Sequence, residues 1–102
     1  MSDARPPRRL ELTIVGRVQG VGFRVFAHDR ASALGLTGWV ANEAGGSVRI
    51  VAEGPEDALL RLRRDAAEGP AGARVDHVAE AWGPATSEFQ AFGIRSRWHG
   101  GD

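Results

Sequence analysis

The chain has 102 residues, 42% of them hydrophobic and 25% charged, which suits one compact domain able to bury roughly two thirds of the surface its unfolded chain exposes. Thirteen arginines balance thirteen acidic residues for a formal charge of zero, so no general field draws polyanions and nucleic acid is not the expected partner. Cysteine, tyrosine and lysine are absent, which excludes disulfides, a thiolate nucleophile, a cysteine-ligated metal, a Schiff base and a Walker lysine.

No apolar run approaches the roughly 20 residues that span a bilayer, so no membrane role is expected. The opening "MSDARPPRRL" lacks the apolar segment of a secretory signal, and the expected location is cytoplasmic. Residues 1–9 show no periodicity and read as a flexible arm, residues 10–97 as the domain, and residues 98–102 as a tail. From Leu10, "LELTIV" alternates Leu10, Leu12 and Ile14 against Glu11, Thr13 and Val15, the period of a strand with one buried face. The glycine-rich "GRVQGVGFR" follows directly. From about Gly22 to Leu34, Phe23, Ala27, Ala31 and Leu34 share one helical stripe, and Gly35 supplies a left-handed stop.

Two short β-rich runs, "LTGWVAN" and "SVRIVAE", are joined by "EAGG", whose paired glycines suit a hairpin turn. In the second run Val48, Ile50 and Ala52 face one way and Arg49, Val51 and Glu53 the other. "GPEDALLRLRRDAAEGP" reads as a second helix, with Pro55 at its first position, Glu56 and Asp57 in its first turn, and Leu59, Leu62 and Ala66 on one stripe. Its "RLRRD" arginines read as a solvated face. "ARVDHVAEAW" is the next strand, and "FQAFGIRSR" a short last one after a turn at Gly83 and Pro84. The order β-α-β-β-α-β plus a short extra strand predicts an α+β, ferredoxin-like split βαβ sandwich: an antiparallel sheet with two helices on one face.

A glycine-rich turn between strand end and helix start lets successive backbone amides point into one concavity where the helix dipole adds positive potential, so an anion is a natural guest. The amides of Gln19, Gly20, Val21 and Gly22 are candidate phosphate donors, and Arg24 can close the cup with a bidentate fork. On these residues alone a second reading stands beside it, in which the glycines make a tight turn and Arg24 is a solvated helix residue. "GVGFRV" has Val25 where a dinucleotide fingerprint needs its third glycine, and no G-K-[ST] occurs. Counting back from Arg24 as in the cysteine-phosphatase loop puts Val18 where the nucleophilic cysteine would sit. Any phosphoryl transfer here would go directly to water.

The combination of "GRVQGVGFR" with "GLTGWVAN" and "GSV", supported by "AEGPEDAL" and "ARVDHV", closely resembles the acylphosphatases, small enzymes that hydrolyse the carboxyl-phosphate bond of acyl phosphates. The resemblance runs from about Leu10 to Ile94. It implies a ferredoxin-like fold, a phosphate cradle in the first loop, Arg24 as catalytic phosphate ligand and Asn42 as the catalytic residue that positions water. An acyl phosphate is then the substrate and inorganic phosphate the product and inhibitor; no metal and no cofactor are expected, and a monomer is the simplest state. The turn "EAGGSV" departs from the Asp-Gly pair of many members, and tyrosines common in the family are missing.

The chemistry fits a site without histidine, because a carboxylate leaving group of pKa about 4 to 5 needs no general acid at neutral pH. His28 reads as an exposed or packed helical residue, His77 and His99 as too isolated for zinc, and Trp39 and Trp82 as core or sheet-surface residues. Arg17 is open between approaching the cradle and a structural pairing. The alternatives are a non-catalytic anion-binding module, or a carbamoyl-phosphate-handling domain of a maturation protein; the chain length favours a free-standing enzyme. An RNA reader is disfavoured by the missing strand aromatics and the zero net charge.

Overall fold

Strand alternation decides the layering. Leu10, Leu12 and Ile14 of β1 (Arg8–Arg17) are fully buried, while Glu11 and Thr13 face the other side of the sheet and stay partly accessible. The computed structural model describes residues 5–98, and the remaining elements are α1 (Phe23–Ala33), β2 (Thr37–Glu43), β3 (Val48–Gly54), α2 (Glu56–Glu68), β4 (Arg74–Pro84) and β5 (Phe92–Trp98). The strands form one sheet in the order β4-β1-β3-β2-β5. Register brings Leu12 opposite Ile50 and Ile50 opposite Val40, so the apolar positions of the three central strands line up on one face.

Both helices cover that face. Phe23, Ala27 and Ala31 of α1 and Ala58, Leu59, Leu62 and Ala66 of α2 enter one core with the strand residues, and Leu34 packs partly buried beside them. Gly35, at φ 72, turns the chain out of α1 and lets the Leu36 amide reach back to the Ala31 carbonyl at 2.9 Å. Pro55, expected at the first helical position of α2, instead stands at its N-cap in extended conformation, and the helix begins at Glu56. Among the described residues no helix is long and apolar enough to cross a membrane.

Three expectations need correction. The sheet is mixed: four strands are antiparallel neighbours, but β5 lies parallel to β2, pairing Ile94 with Val40. The expected turn at Gly83 and Pro84 is strand, because β1 begins at Arg8, inside the stretch read as an arm, and pairs Arg8 with Pro84 and Arg9 with Gly83. The last strand starts at Phe92, because the chain from 85 to 91 first crosses the open face of the sheet. Residues 1–4 and 99–102, with His99 and most of the expected tail, lie outside the described residues.

The crossing segment is fastened by the one buried charged side chain among the described residues. Glu53 is 4% exposed, and its carboxylate accepts the Thr86 amide (2.9 Å), the Thr86 hydroxyl (2.8 Å), the Ser87 amide (3.0 Å) and the Arg9 guanidinium (3.3 Å). Phe89 then packs on the small open-face cluster of Trp39, Ala41 and Val51. Burial alone would raise the pKa of Glu53, but these donors outweigh it and hold the carboxyl below its ordinary value of 4.5. Arg49 and then Arg9 do the same for Glu11, against partial burial.

A carboxylate with a lowered folded-state pKa contributes stability that is present above its ordinary value and lost as pH falls through the lowered one. Glu53→Gln is therefore expected to cost about 2–4 kcal/mol near neutral pH, by weakening four bonds to a buried acceptor. Thermal unfolding followed from neutral pH to below about pH 4 should show a smaller acid-induced drop in Tm for the variant than for the parent. Parallel Tm curves would refute the clamp.

Candidate active site

The loop leaving β1 reaches α1 through two left-handed glycines, Gly20 at φ 76 and Gly22 at φ 78. A Cβ added at either would meet nothing within 4 Å, so what these glycines supply is the turn of the backbone. Gly22 is also the N-cap of α1, where it offers no side-chain cap, and the first turn carries no acidic residue. α2 differs: Glu56 and Asp57 occupy its first turn. The positive end of α1 is thus left uncompensated by its own sequence, with backbone N–H groups that have no intrahelical acceptor.

A cavity of about 200 Å³ opens at this helix end. Gly20, Gly22 and Arg24 line it from the loop and the start of α1, and Asn42 lines it from the end of β2. Asn42 lies two residues beyond the fully buried Val40 on the helix-side face and is cross-strand partner of the fully buried Val48, which fixes its backbone. The sequence reading did not include Val18, Phe23, Val25 and Ile94, which complete the wall. Among the described residues of the lining, only Arg24 is charged.

The Arg24 guanidinium is aimed by β5. Its Nη1 donates to the carbonyl oxygens of Arg95 and Ser96, each at 3.1 Å, while Nε and Nη2 donate to none of the described residues. A planar fork anchored on one nitrogen keeps its other donors in a fixed direction. The Asn42 carboxamide likewise makes no hydrogen bond to the described residues.

Gln19 and Val21 do not line the cavity. Val21 packs partly buried against the core, and the Gln19 side chain does something its backbone-donor reading did not foresee. Its Nε2 donates to the carbonyls of Glu43 and Ser47, both at 2.8 Å, spanning the base of the β2–β3 hairpin. The hairpin is closed by the Glu43 amide on the Ser47 carbonyl (2.9 Å) and the Ser47 hydroxyl on the Glu43 carboxylate (2.8 Å), with Gly45 and Gly46 at φ 105 and 104. The loop and the strand end that carries Asn42 are therefore joined directly.

Other polar residues lie elsewhere. Arg17 is exposed and pairs in register with Arg74 of β4, away from the cavity. His28 bonds Asp29 (3.0 Å) and leans on Phe92, and His77 is exposed on β4. Arg61 and Arg64 are solvated as expected, whereas Arg63 reaches across to Glu80 at 2.9 Å.

A family model described as acylphosphatase matches residues 10–94. An acylphosphatase of Salinibacter ruber is 51% identical over 88 residues, covering 86% of this chain and 93% of that protein. The crystal structure of acylphosphatase from Bacillus subtilis superposes with a TM-score of 0.84 at 34% identity, covering 86% of this chain and 98% of that one. Full-length HypF, solved in a phosphate- and nucleotide-bound form, matches at 30% identity and TM-score 0.82; the alignment covers 93% of this chain but 13% of HypF.

Gln19→Ala removes both bonds between loop and hairpin, with an expected loss of about 1–2 kcal/mol and faster amide exchange from 18 to 22. Gln19→Glu keeps the size but cannot donate as a carboxylate, so it should be no better than alanine. Denaturant unfolding and hydrogen exchange measure both effects; parent-like stability and exchange in Gln19→Glu would remove the anchoring role.

Proposed function

The chain belongs to the acylphosphatase family and hydrolyses acyl phosphates, and we propose that it does so by direct attack of water on a phosphoryl group held between the N-terminus of α1 and Arg24, with Asn42 aligning the water. One observation carries this reading: Arg24 and Asn42, from different elements, line the same cavity at a helix N-terminus that has neither a side-chain cap nor a first-turn acid.

The phosphoryl oxygens sit where backbone N–H groups and the helix dipole favour negative charge. Main-chain donors of the Gln19–Gly22 loop and the first turn of α1 contact them, and the free side of the Arg24 fork takes the remaining oxygens. As the bond to the acyl oxygen lengthens, charge on the equatorial oxygens is met by groups already in place, which lowers the barrier without reorganisation. Asn42 accepts a hydrogen bond from the attacking water and holds it in line with the leaving oxygen.

A carboxamide is a poor base, so the water's proton passes to a phosphate oxygen or to solvent. The leaving carboxylate departs unprotonated, so the site works without an acid. Inorganic phosphate occupies the same cradle and competes with substrate. A monomer is the simplest form in which the enzyme acts. A chain without cysteine has no need of an oxidising compartment, which suits a cytoplasmic enzyme.

Steady-state hydrolysis of benzoyl phosphate tests the assignment, with p-nitrophenyl phosphate as a monoester control that should turn over poorly. Arg24→Lys is expected to lose about 10³-fold in kcat/KM, because a point charge does not reproduce the fork, and Asn42→Ala about 10²- to 10³-fold. Near-parent rates in either folded variant would refute that residue's role. Competition by phosphate without turnover would make the domain an anion sensor instead.

A further inference from the structure

The Arg24 fork is aimed by main-chain atoms, and those atoms sit at an irregularity of the sheet. Between the pairs Ala41–Arg95 and Glu43–Trp98 the parallel ladder shifts, β2 advancing two residues while β5 advances three, so Asn42 faces a bulge on β5. The Arg95 and Ser96 carbonyls that receive the Arg24 Nη1 lie at the start of that bulge. Where the bulge falls along β2 therefore decides where Arg24 points.

β5 does little to fix its own register. Of its side chains from 92 to 96 only Phe92 is buried, and among the described residues no strand pairs with its outer edge. The segment leading into it is fastened instead. Ser87, at φ 61, is the one non-glycine residue with positive φ among the described residues, a conformation that persists only where its surroundings hold it. Its amide donates to Glu53 Oε1 at 3.0 Å, beside the Thr86 amide and hydroxyl on Oε2. Further along, Phe89 seats on Trp39, Ala41 and Val51, and the Ala91 carbonyl accepts the Gly38 amide at 3.1 Å. Glu53 itself stands opposite Thr37, about 17 Å along β2 from Asn42 by strand rise, and does not line the cavity.

We propose that Glu53 is a positioning residue for the reaction: by holding the left-handed turn at Ser87 it sets the register of β5 on β2, and so keeps the Arg24 fork in line with the cavity. This rests on the catalytic reading of Arg24 and adds a remote residue on which that reading depends. Steady-state hydrolysis of benzoyl phosphate by the intact chain tests it, at a temperature where melting curves show each variant folded. Glu53→Gln should lose about 10-fold in kcat/KM, and the milder Thr86→Val, which removes one donor to the clamp, about 3-fold. In an Arg24→Lys background Glu53→Gln should change the residual rate by less than about 2-fold, because the group it acts through is already gone. Leu59→Ala, a core truncation on α2 that lowers Tm, should stay within about 2-fold of the parent in kcat/KM, which separates aim from stability.

Parent-like kcat/KM in both folded clamp variants, or an undiminished Glu53→Gln loss in the Arg24→Lys background, would overturn the positioning role while leaving hydrolysis intact. A loss of the same size in Leu59→Ala would do so as well. An Arg24→Lys enzyme as fast as the parent would instead overturn the catalytic reading beneath it.

Discussion

The site depends on two hydrogen bonds that do not touch its cavity. By donating to the Glu43 and Ser47 carbonyls, the Gln19 carboxamide ties the loop after β1 to the base of the β2–β3 hairpin. Phosphoryl transfer to water leaves the protein little covalent chemistry and asks for geometry: donors around the phosphorus on one side and a water holder on the other. In the proposed mechanism those parts sit on the loop and on β2, which are joined in sequence only through α1. A carboxamide suits the task, since it offers two donors in one plane to two neighbouring acceptors. The spacing between loop and strand is thus set by a side chain outside the cavity, and at the opening the Arg24 fork is anchored, among the described residues, on one nitrogen only.

The two faces of the sheet divide the remaining work. The helix side holds the continuous apolar core and delivers the N-terminus of α1, Val40 and Asn42 to one end. The open side carries ion pairs among Arg9, Glu11, Arg49 and Glu53, and the crossing segment pinned by Glu53. That segment matters to the site despite its distance from it. It brings β5 to the free edge of β2 in parallel register, where the Arg95 and Ser96 carbonyls receive Arg24. Arg95 also lays its guanidinium over Trp39 at 4.5 Å, so one residue of β5 holds the open face with its side chain and Arg24 with its backbone.

Much of this was legible in the sequence where physics is local. Alternation in Leu10 to Val15 and the stripes of α1 and α2 report a buried face directly, and Gly22, Gly35 and Gly69 mark helix limits through backbone freedom. Arg24 and Asn42 were singled out because two motifs carry them, and both line one cavity. What could not be read is what depends on pairing across the chain. The run around Ile94 looks the same whether it adds parallel or antiparallel, and the segment that leads it to β2 is held by long-range contacts of Thr86, Ser87 and Phe89. Val25 and Ile94 gave no periodic signal as site residues, since their meaning lies in a cavity that exists only after β5 has docked. Gln19 was read for its amide because a long-range side-chain bond leaves no mark on local pattern.

The arginine-only cation set has a chemical consequence for a protein that meets mixed anhydrides for a living. Such compounds acylate unprotonated amines and thiolates, and lysine and cysteine are the side chains that supply them. Every cation of this chain's side chains is a guanidinium, including those that fasten the sheet at Arg9, Arg49 and Arg63. A guanidinium stays protonated at any physiological pH and has no free electron pair to offer. The fold is thus held together by charges that its own substrate has no means of neutralising.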